Sequence, residues 1–305
     1  MNETRFGLVA LIGAPNAGKS TLLNALVGAK VTIVSRKAQT TRSTVRGILM
    51  EGATQIVFVD TPGLFAPKRR LDRAMIASAW GAAADADALA LLIDVRQEIA
   101  AGDQLSDATE TILAALQTRP RPKFLVLNKI DLVERSKLLG LVERINARLK
   151  FVDTFMISAL KGDGTDRLRA ALAAVMPLGP WLYPEDQIAD APLRALAAEI
   201  TREKIFERLH DELPYQTTVE TESWKDQPDG SARIEQTIYV ARDSHKKIVI
   251  GEGGRTIKAI GAAARKEIAE AHEANVHLFL FVKVRENWLD DPERYRAMGL
   301  EFPER

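Results

Sequence analysis

The eight residues GAPNAGKS at positions 13–20 constrain this chain more than any other stretch. They follow an apolar run, FGLVALIG (6–13), and lead into a helix-patterned one, STLLNALVG (20–28). Glycines closed by lysine and serine, placed between a strand and a helix, make a phosphate cradle, because consecutive backbone N–H groups and the helix N-terminus converge on an anion. Such a loop requires a parallel sheet with crossover helices around it. The runs QIVFVD (55–60), ALALLIDV (88–95), KFLVLNKID (123–131) and VDTFMISA (152–159) read as its strands. LDRAMIASAWGAAA (71–84), DATETILAAL (107–116) and RSKLLGLVERINARL (135–149) read as its helices. Strands alternating with helices at this spacing predict an α/β fold with a mostly parallel sheet.

The cradle consists of Gly13, Ala14, Pro15, Asn16, Ala17 and Gly18, followed by Lys19, Ser20 and Thr21. Lys19 brings a positive charge to the β- and γ-phosphate oxygens, and the Ser20 hydroxyl is placed to ligate Mg²⁺. DTPG contributes Asp60, Thr61, Pro62 and Gly63 at a strand end. The Asp60 carboxylate can hold the magnesium, and Gly63 can bring its N–H to the γ-phosphate. NKID supplies Asn128, Lys129 and Asp131. The Asp131 carboxylate accepts two hydrogen bonds from the N1–H and 2-amino group of guanine, a pairing that discriminates against adenine by roughly 10⁴. SAL (Ser158, Ala159, Leu160) is placed to touch the base oxygen through the Ala159 N–H. Four elements in this order define a guanine nucleotide site.

Between the first two lies the polar, aperiodic SRKAQTTRST (35–44). A threonine here completes the magnesium shell when the γ-phosphate is present; Thr41 is favoured and Thr40 competes with it. Order and disorder of such a segment, governed by the γ-phosphate, constitute a switch. Lys19, Thr41 and Gly63 are the expected catalytic set. Leu64 stands where simpler GTPases carry a water-orienting glutamine, so hydrolysis is expected to be slow or to rely on another group.

A chain of 305 residues accommodates two domains. MPLGPWLYPEDQIADAP (176–192) holds four of the 13 prolines and reads as a linker. Beyond it come a helix (193–210), strands at 217–226 and 232–242, a short helix, a GEGG turn, a long helix (255–273) and a strand (276–286): αββααβ. GEGG lacks the lysine and serine of a phosphate loop. Between two helices it has the form of a KH-domain turn, which clamps the backbone of about four unpaired nucleotides. Lys246, Lys247, Arg255, Lys258, Arg265 and Lys266 crowd residues 246–266 against Glu252 alone, in a chain whose formal net charge is +1. The expected RNA contacts are Lys246, Lys247, Ile250, Gly251, Glu252, Gly253, Gly254, Arg255, Thr256 and Lys258.

GAPNAGKS, SRKAQTTR, DTPGL and NKID, followed by VIGEGGRTIK and the tail NWLDDPERYRAMGL (287–300), closely resemble the bacterial Era GTPases along essentially the whole chain. The resemblance implies a Ras-like P-loop GTPase domain at 1–175, a linker at 176–192, a type II KH domain at 193–290 and a tail at 291–305. It implies a GTP/GDP switch with Mg²⁺ that binds the 3′ end of 16S rRNA and assists maturation of the small (30S) ribosomal subunit. It also implies a cytoplasmic monomer with peripheral inner-membrane association. Relatives with asparagine at the Asn16 position use it to help hold a potassium ion, which makes Asn16 a candidate K⁺ ligand here.

Two other readings stand beside this one. The chain could be an RNA-binding assembly module with GTP as a structural ligand, or a GTPase whose basic face meets anionic lipid. The absence of cysteine excludes disulfides and thiolate metal sites and favours a reducing compartment. The N-terminal MNETRFGLVALIGAP runs straight into the glycine loop and reads as a core strand rather than a signal peptide. No stretch approaches the roughly 20 apolar residues needed to span a bilayer.

Overall fold

A computed structural model describes residues 3–303 except Ala38, Asp211 and Asn287. Ala38 of the polar segment, Asp211 and Asn287 of the expected KH domain, and the outermost residues of the expected GTPase domain and tail lie outside this set. The chain divides into two units. The first runs from the N-terminal end to Val31, continues as Thr41–Asp190 and includes the stretch from Met298 onward. The second takes Thr32–Thr40 and Ala191–Ala297.

The first unit is built from β1 (Arg5–Ile12), α1 (Lys19–Val27), β2 (Val45–Glu51), β3 (Thr54–Asp60), α2 (Arg70–Asp85), β4 (Ala88–Asp94), α3 (Val95–Ala100), α4 (Asp107–Gln117), β5 (Lys123–Asn128), α5 (Ser136–Asn146), β6 (Asp153–Ile157) and α6 (Thr165–Val175). The strands form one sheet in the order β2-β3-β1-β4-β5-β6. All pairs are parallel except β2 with β3. β3 and β4 are buried at every position, as their continuous apolar runs require when helices cover both faces. One apolar cluster, with Leu11, Leu22, Phe58, Leu92 and Phe124, fills one face, and another, with Ile12, Leu64, Leu91, Leu125 and Leu141, fills the other. Parallel strands place their carboxyl ends along one edge, where ligands bind in open α/β sheets. Asp60 and Asn128 are the last residues of β3 and β5.

The sequence reading overlooks β2. VRGILME carries Arg46 and Gly47 inside the run, and its identity as a strand depends on the tight hairpin to β3. Residues 176–190, expected as linker, lie along the edges of this same sheet. Ile48 N–H donates to the Ile188 carbonyl at 2.9 Å, Gln55 Nε2 to the Tyr183 carbonyl at 2.8 Å, and Trp181 Nε1 to the Ala53 carbonyl at 3.1 Å. Prolines bar this segment from a helix, but its carbonyls satisfy donors that the exposed edge of β2 leaves open. Trp181 is therefore a residue of the first unit.

The second unit contains α7 (Leu193–Arg208), β7 (Thr217–Asp226), β8 (Ala232–Val240), α8 (Asp243–Ile250), α9 (Arg255–His272), β9 (Val276–Val284) and the short α10 (Pro292–Ala297). Its sheet runs β7-β8-β9, with β7 antiparallel and β9 parallel to β8. The αββααβ order is the one expected of a type II KH domain. Along β9, residues alternate between half-buried positions such as Leu280 and Val282, which pack on the helices, and exposed ones such as Phe279 and Phe281. No described helix is long and apolar enough to cross a membrane.

Candidate nucleotide and RNA-contact sites

The phosphate loop leaves β1 and enters α1, whose first residue is Lys19. The Lys19 ammonium is buried and folds back on its own loop, donating to the carbonyls of Gly13 at 3.0 Å and Ala14 at 2.9 Å. Burial lowers its pKa to about 8; the Asp60 charge opposes the drop and the Lys129 charge adds to it. Gly63 meets the same loop from the other side, since a Cβ there would lie 2.8 Å from Pro15.

Three oxygens from separate elements converge beside Lys19. Ser20 Oγ donates to Asp60 Oδ2 at 2.6 Å, Thr41 Oγ1 lies 3.0 Å from Ser20 Oγ, and it donates to Asp60 Oδ2 at 3.4 Å. Two hydroxyls and a carboxylate are hard oxygen donors of the kind Mg²⁺ takes together with phosphate and water, so this set fits that ion. The Thr40 hydroxyl is turned away and donates to the Lys37 carbonyl at 2.8 Å. Thr61 is also committed elsewhere, to the Leu11 carbonyl at 2.7 Å. Leu64 is buried among Ile12, Ala79 and Leu91, remote in chemistry and direction from any water-orienting role.

The base-facing elements form a linked set. Asn128 Nδ2 donates to the Ala17 carbonyl at 2.9 Å, and Asn128 Oδ1 accepts from the N–H groups of Lys129 at 2.8 Å and Ala159 at 3.0 Å. The Ala159 N–H, expected at the base oxygen, is thus engaged by Asn128, tying SAL to NKID. Ser158 is buried, whereas the Leu160 side chain stands in solvent. Lys129 takes a left-handed backbone conformation, φ 70°, and its ammonium reaches the Asn16 carbonyl at 2.6 Å and Asp94 Oδ2 at 2.5 Å. Asn16 is left-handed as well, at φ 63°.

Two residues that contact the NKID side chains escape the sequence reading. Asp94 is buried, caps α3 through the N–H groups of Arg96 and Gln97, and holds Lys129. Its position at the end of an apolar strand is the one available signal. Lys161 stands 3.7 Å from Asp131 Oδ2 and follows SAL directly.

In the second unit, α8 ends at Ile250 and α9 begins at Arg255, with GEGG as the turn between them. Gly251, Gly253 and Gly254 all take positive φ. Lys247, Gly253 and Lys258 are exposed and Lys246 is half-buried. Arg255 pairs with Glu252 and also donates to the Glu252 carbonyl, so the one acid of the turn neutralises the cation nearest to it. Among the described residues, the uncompensated charge of the turn comes from Lys246, Lys247 and Lys258. Thr256 packs behind Gly251, Ile250 is half-buried, Ile260 is core and Ile248 is exposed.

Residues 8–129 match the family described as 50S ribosome-binding GTPase, and residues 212–289 match the KH domain family. The chain is 67% identical over 302 residues to GTPase Era of Afipia carboxidovorans, covering 99% of this chain and 96% of that protein. It is 60% identical over 301 residues to GTPase Era of Brucella suis, covering 99% and 95%. Among solved structures it resembles Era in complex with MgGDPNP and nucleotides 1506–1542 of 16S ribosomal RNA, with a TM-score of 0.90 and 36% identity over 97% of this chain and 99% of that one. A variant of Aquifex aeolicus Era bound to GDP and aluminium fluoride matches with the same values.

Proposed function

This chain belongs to the Era family of GTPases, and from that premise we propose that it is a GTP-hydrolysing switch which binds the 3′ end of 16S rRNA through its KH turn and assists maturation of the small ribosomal subunit. The observation that carries this reading is the full-length likeness to an Era captured with both a magnesium-bound GTP analogue and that RNA segment. In the division of labour we propose, residues 1–175, with 176–190 laid along their sheet, handle the nucleotide and residues 193–290 the RNA.

Ser20, Thr41 and Asp60 would hold Mg²⁺, which when bound neutralises charge developing on the phosphate oxygens. Lys19 swings from the Gly13 and Ala14 carbonyls to the phosphates, exchanging two neutral acceptors for anionic ones. The loop amides of residues 13–18 orient the polyphosphate, and the Gly63 N–H meets its γ end. Asp131 reads guanine, and Asn128 holds SAL against the loop. With Leu64 locked in the core, the attacking water must be oriented by another group. Asn16 as a potassium ligand is part of this reading, and hydrolysis faster in K⁺ than in Na⁺ at constant Mg²⁺ is its test. A cytoplasmic monomer with peripheral inner-membrane association completes it; sedimentation and membrane fractionation test those two points.

The deciding experiment is single-turnover GTP hydrolysis with and without a short RNA matching the 16S 3′ end, for the wild type and Gly253→Asp, alongside direct RNA binding. RNA binding by the wild type and its loss in the variant, with basal hydrolysis unchanged, support the proposal. Equal RNA binding by both removes GEGG from the RNA site. If the variant retains liposome binding while losing RNA, the lipid reading falls as the account of this basic face.

A further inference from the structure

Asp94 is the last residue of β4, and its carboxylate divides its two oxygens between two tasks. Oδ1 accepts from the N–H groups of Arg96 at 3.0 Å and Gln97 at 3.4 Å, capping α3. Oδ2 accepts from the Lys129 ammonium at 2.5 Å. The cap does not call for a charge, because asparagine and serine cap helices about as well as aspartate. A buried carboxylate also carries a desolvation penalty that those residues avoid. The Asp94 side chain is only 3% exposed, against 26% for Lys129. Lys129, and not α3, accounts for the charge.

Lys129 in turn is bent toward the phosphate loop. Its left-handed backbone, unfavourable for a residue with a Cβ, sends the side chain back across that loop. The ammonium donates to the Asn16 carbonyl at 2.6 Å, and Cε lies 4.0 Å from the point where a Cβ on Gly18 would stand. Next to it, Asn128 Nδ2 donates to the Ala17 carbonyl at 2.9 Å. Two consecutive side chains of NKID thus hold two consecutive carbonyls of the phosphate loop. The Asn128 grip is short and is braced by the N–H groups of Lys129 and Ala159. The Lys129 grip depends on a flexible stem and a strongly hydrated head, which a neutral carbonyl alone holds weakly. Asp94 supplies the missing anchor from a rigid base. β4 pairs with β1 on one side and β5 on the other, the strands from which the phosphate loop and NKID leave, and Asp94 is the register partner of Asn128.

We infer that Asp94 is a positioning residue for guanine nucleotides: through the Lys129 ammonium it locks NKID against the phosphate loop and presets the spacing between the groups that read the base and those that hold the phosphates. The inference rests on the reading of NKID as the base site. A nucleotide must engage both ends at once, so a preset spacing lowers the ordering cost of binding. The span from base to β-phosphate is common to GDP and GTP, so Asp94 contributes equally to both.

The test measures affinity and release rate of a fluorescent GDP and a fluorescent non-hydrolysable GTP analogue in the full chain, for the wild type, Asp94→Asn, Lys129→Met, their double variant and Asp131→Asn. Asp94→Asn keeps an acceptor for α3 and turns an amide NH₂ toward the ammonium, donor against donor. It weakens both nucleotides by about tenfold or more, the range for loss of one hydrogen bond to a charged group, mainly through faster release. In the Lys129→Met background it costs nothing further, because Asp94 acts only through that ammonium. A residue that merely caps α3 would show no such coupling to Lys129. Wild-type affinity in Asp94→Asn, unequal losses for the two nucleotides, or additive losses in the double variant overturn the inference. If Asp131→Asn leaves GDP affinity unchanged, the base-site reading itself falls; if it lowers GDP affinity and Asp94→Asn does not, only the positioning role falls. Should Asp94→Asn fail to fold, Asp94→Ser caps α3 without a charge and gives the same readout.

Discussion

Ser20 Oγ donates to Asp60 Oδ2 across 2.6 Å, a single hydrogen bond that joins the first turn of α1 to the last residue of β3. Both residues come from the sheet edge where parallel strands end, so the fold itself sets this distance. The hydroxyl–carboxylate pair is a charge-assisted hydrogen bond of ordinary length, and with the Thr41 hydroxyl beside it the three oxygens make a hard donor set of the kind Mg²⁺ takes.

Asp60→Asn keeps the size of the side chain and removes its charge. The Mg²⁺ concentration needed for half-maximal binding of a GTP analogue is expected to rise by about 10–100-fold, the range typical of weakened metal shells. Titrating Mg²⁺ against a fluorescent analogue reads it directly. An unchanged midpoint would exclude Asp60 from the metal site.

Lys19 gives the site a pH dependence. Its pKa in the free protein is about 8, lowered by burial, and a polyphosphate brought against it raises that value again. Nucleotide binding above pH 8 therefore takes up a proton, and GTP affinity falls as pH rises past 8, by at most about tenfold per unit. Stability of the free protein runs the other way. Between about 8 and the ordinary value of 10.5 the unfolded state binds more protons at this lysine, so the fold gains stability as pH rises through that window. Calorimetry at about pH 8.5 in buffers of different ionisation enthalpy measures the uptake, which Lys19→Met should abolish.

Whether such residues can be found in the sequence depends on how local their signal is. β4 reads directly from ALALLIDV because burial on both faces leaves an unbroken apolar run. β2 does not, because its outer edge is covered by the irregular 176–190 segment and not by a strand, Arg46 and Gly47 interrupt it, and its pairing is set by the hairpin to β3. Ser20, Asp60 and Asn128 are legible because backbone geometry at strand ends demands particular residues within a few positions. Arg202 is not: its partner Thr40 is 162 residues away, and nothing in ITREK distinguishes a buried arginine from a solvated one. Asp94 falls between these cases, a strand-end carboxylate with no glycine or lysine beside it to mark it.

Asp131 is expected to set base choice. Asp131→Asn leaves one acceptor where guanine presents two donors, so the preference for GTP over ATP should drop by about 10²-fold or more. Competition of each nucleotide against a labelled GDP measures this. Lys161, 3.7 Å from the same carboxylate, should behave differently. Lys161→Met removes a partly exposed ion pair worth about 1 kcal/mol or less, so it weakens GTP and ATP alike and leaves the preference in place.

Two glycines of GEGG, Gly251 and Gly253, call for opposite outcomes. Gly251 sits at φ 73°, and a Cβ there would come within 2.2 Å of Thr256 Oγ1 and 2.9 Å of the Thr256 nitrogen. Gly251→Ala must either open the start of α9 or strain the turn, with a stability loss of about 1–3 kcal/mol. Gly253, at φ 59°, faces open space with nothing within 4 Å of a Cβ. Gly253→Asp meets only the modest left-handed penalty that aspartate tolerates, about 1 kcal/mol, but it sets a carboxylate where phosphates must approach. Thermal melts should therefore show Gly251→Ala clearly lowered and Gly253→Asp close to wild type, while RNA titration ranks them in the reverse order. Loss of RNA binding that simply tracked loss of stability would mean the turn acts as a hinge in the fold and not as a phosphate clamp.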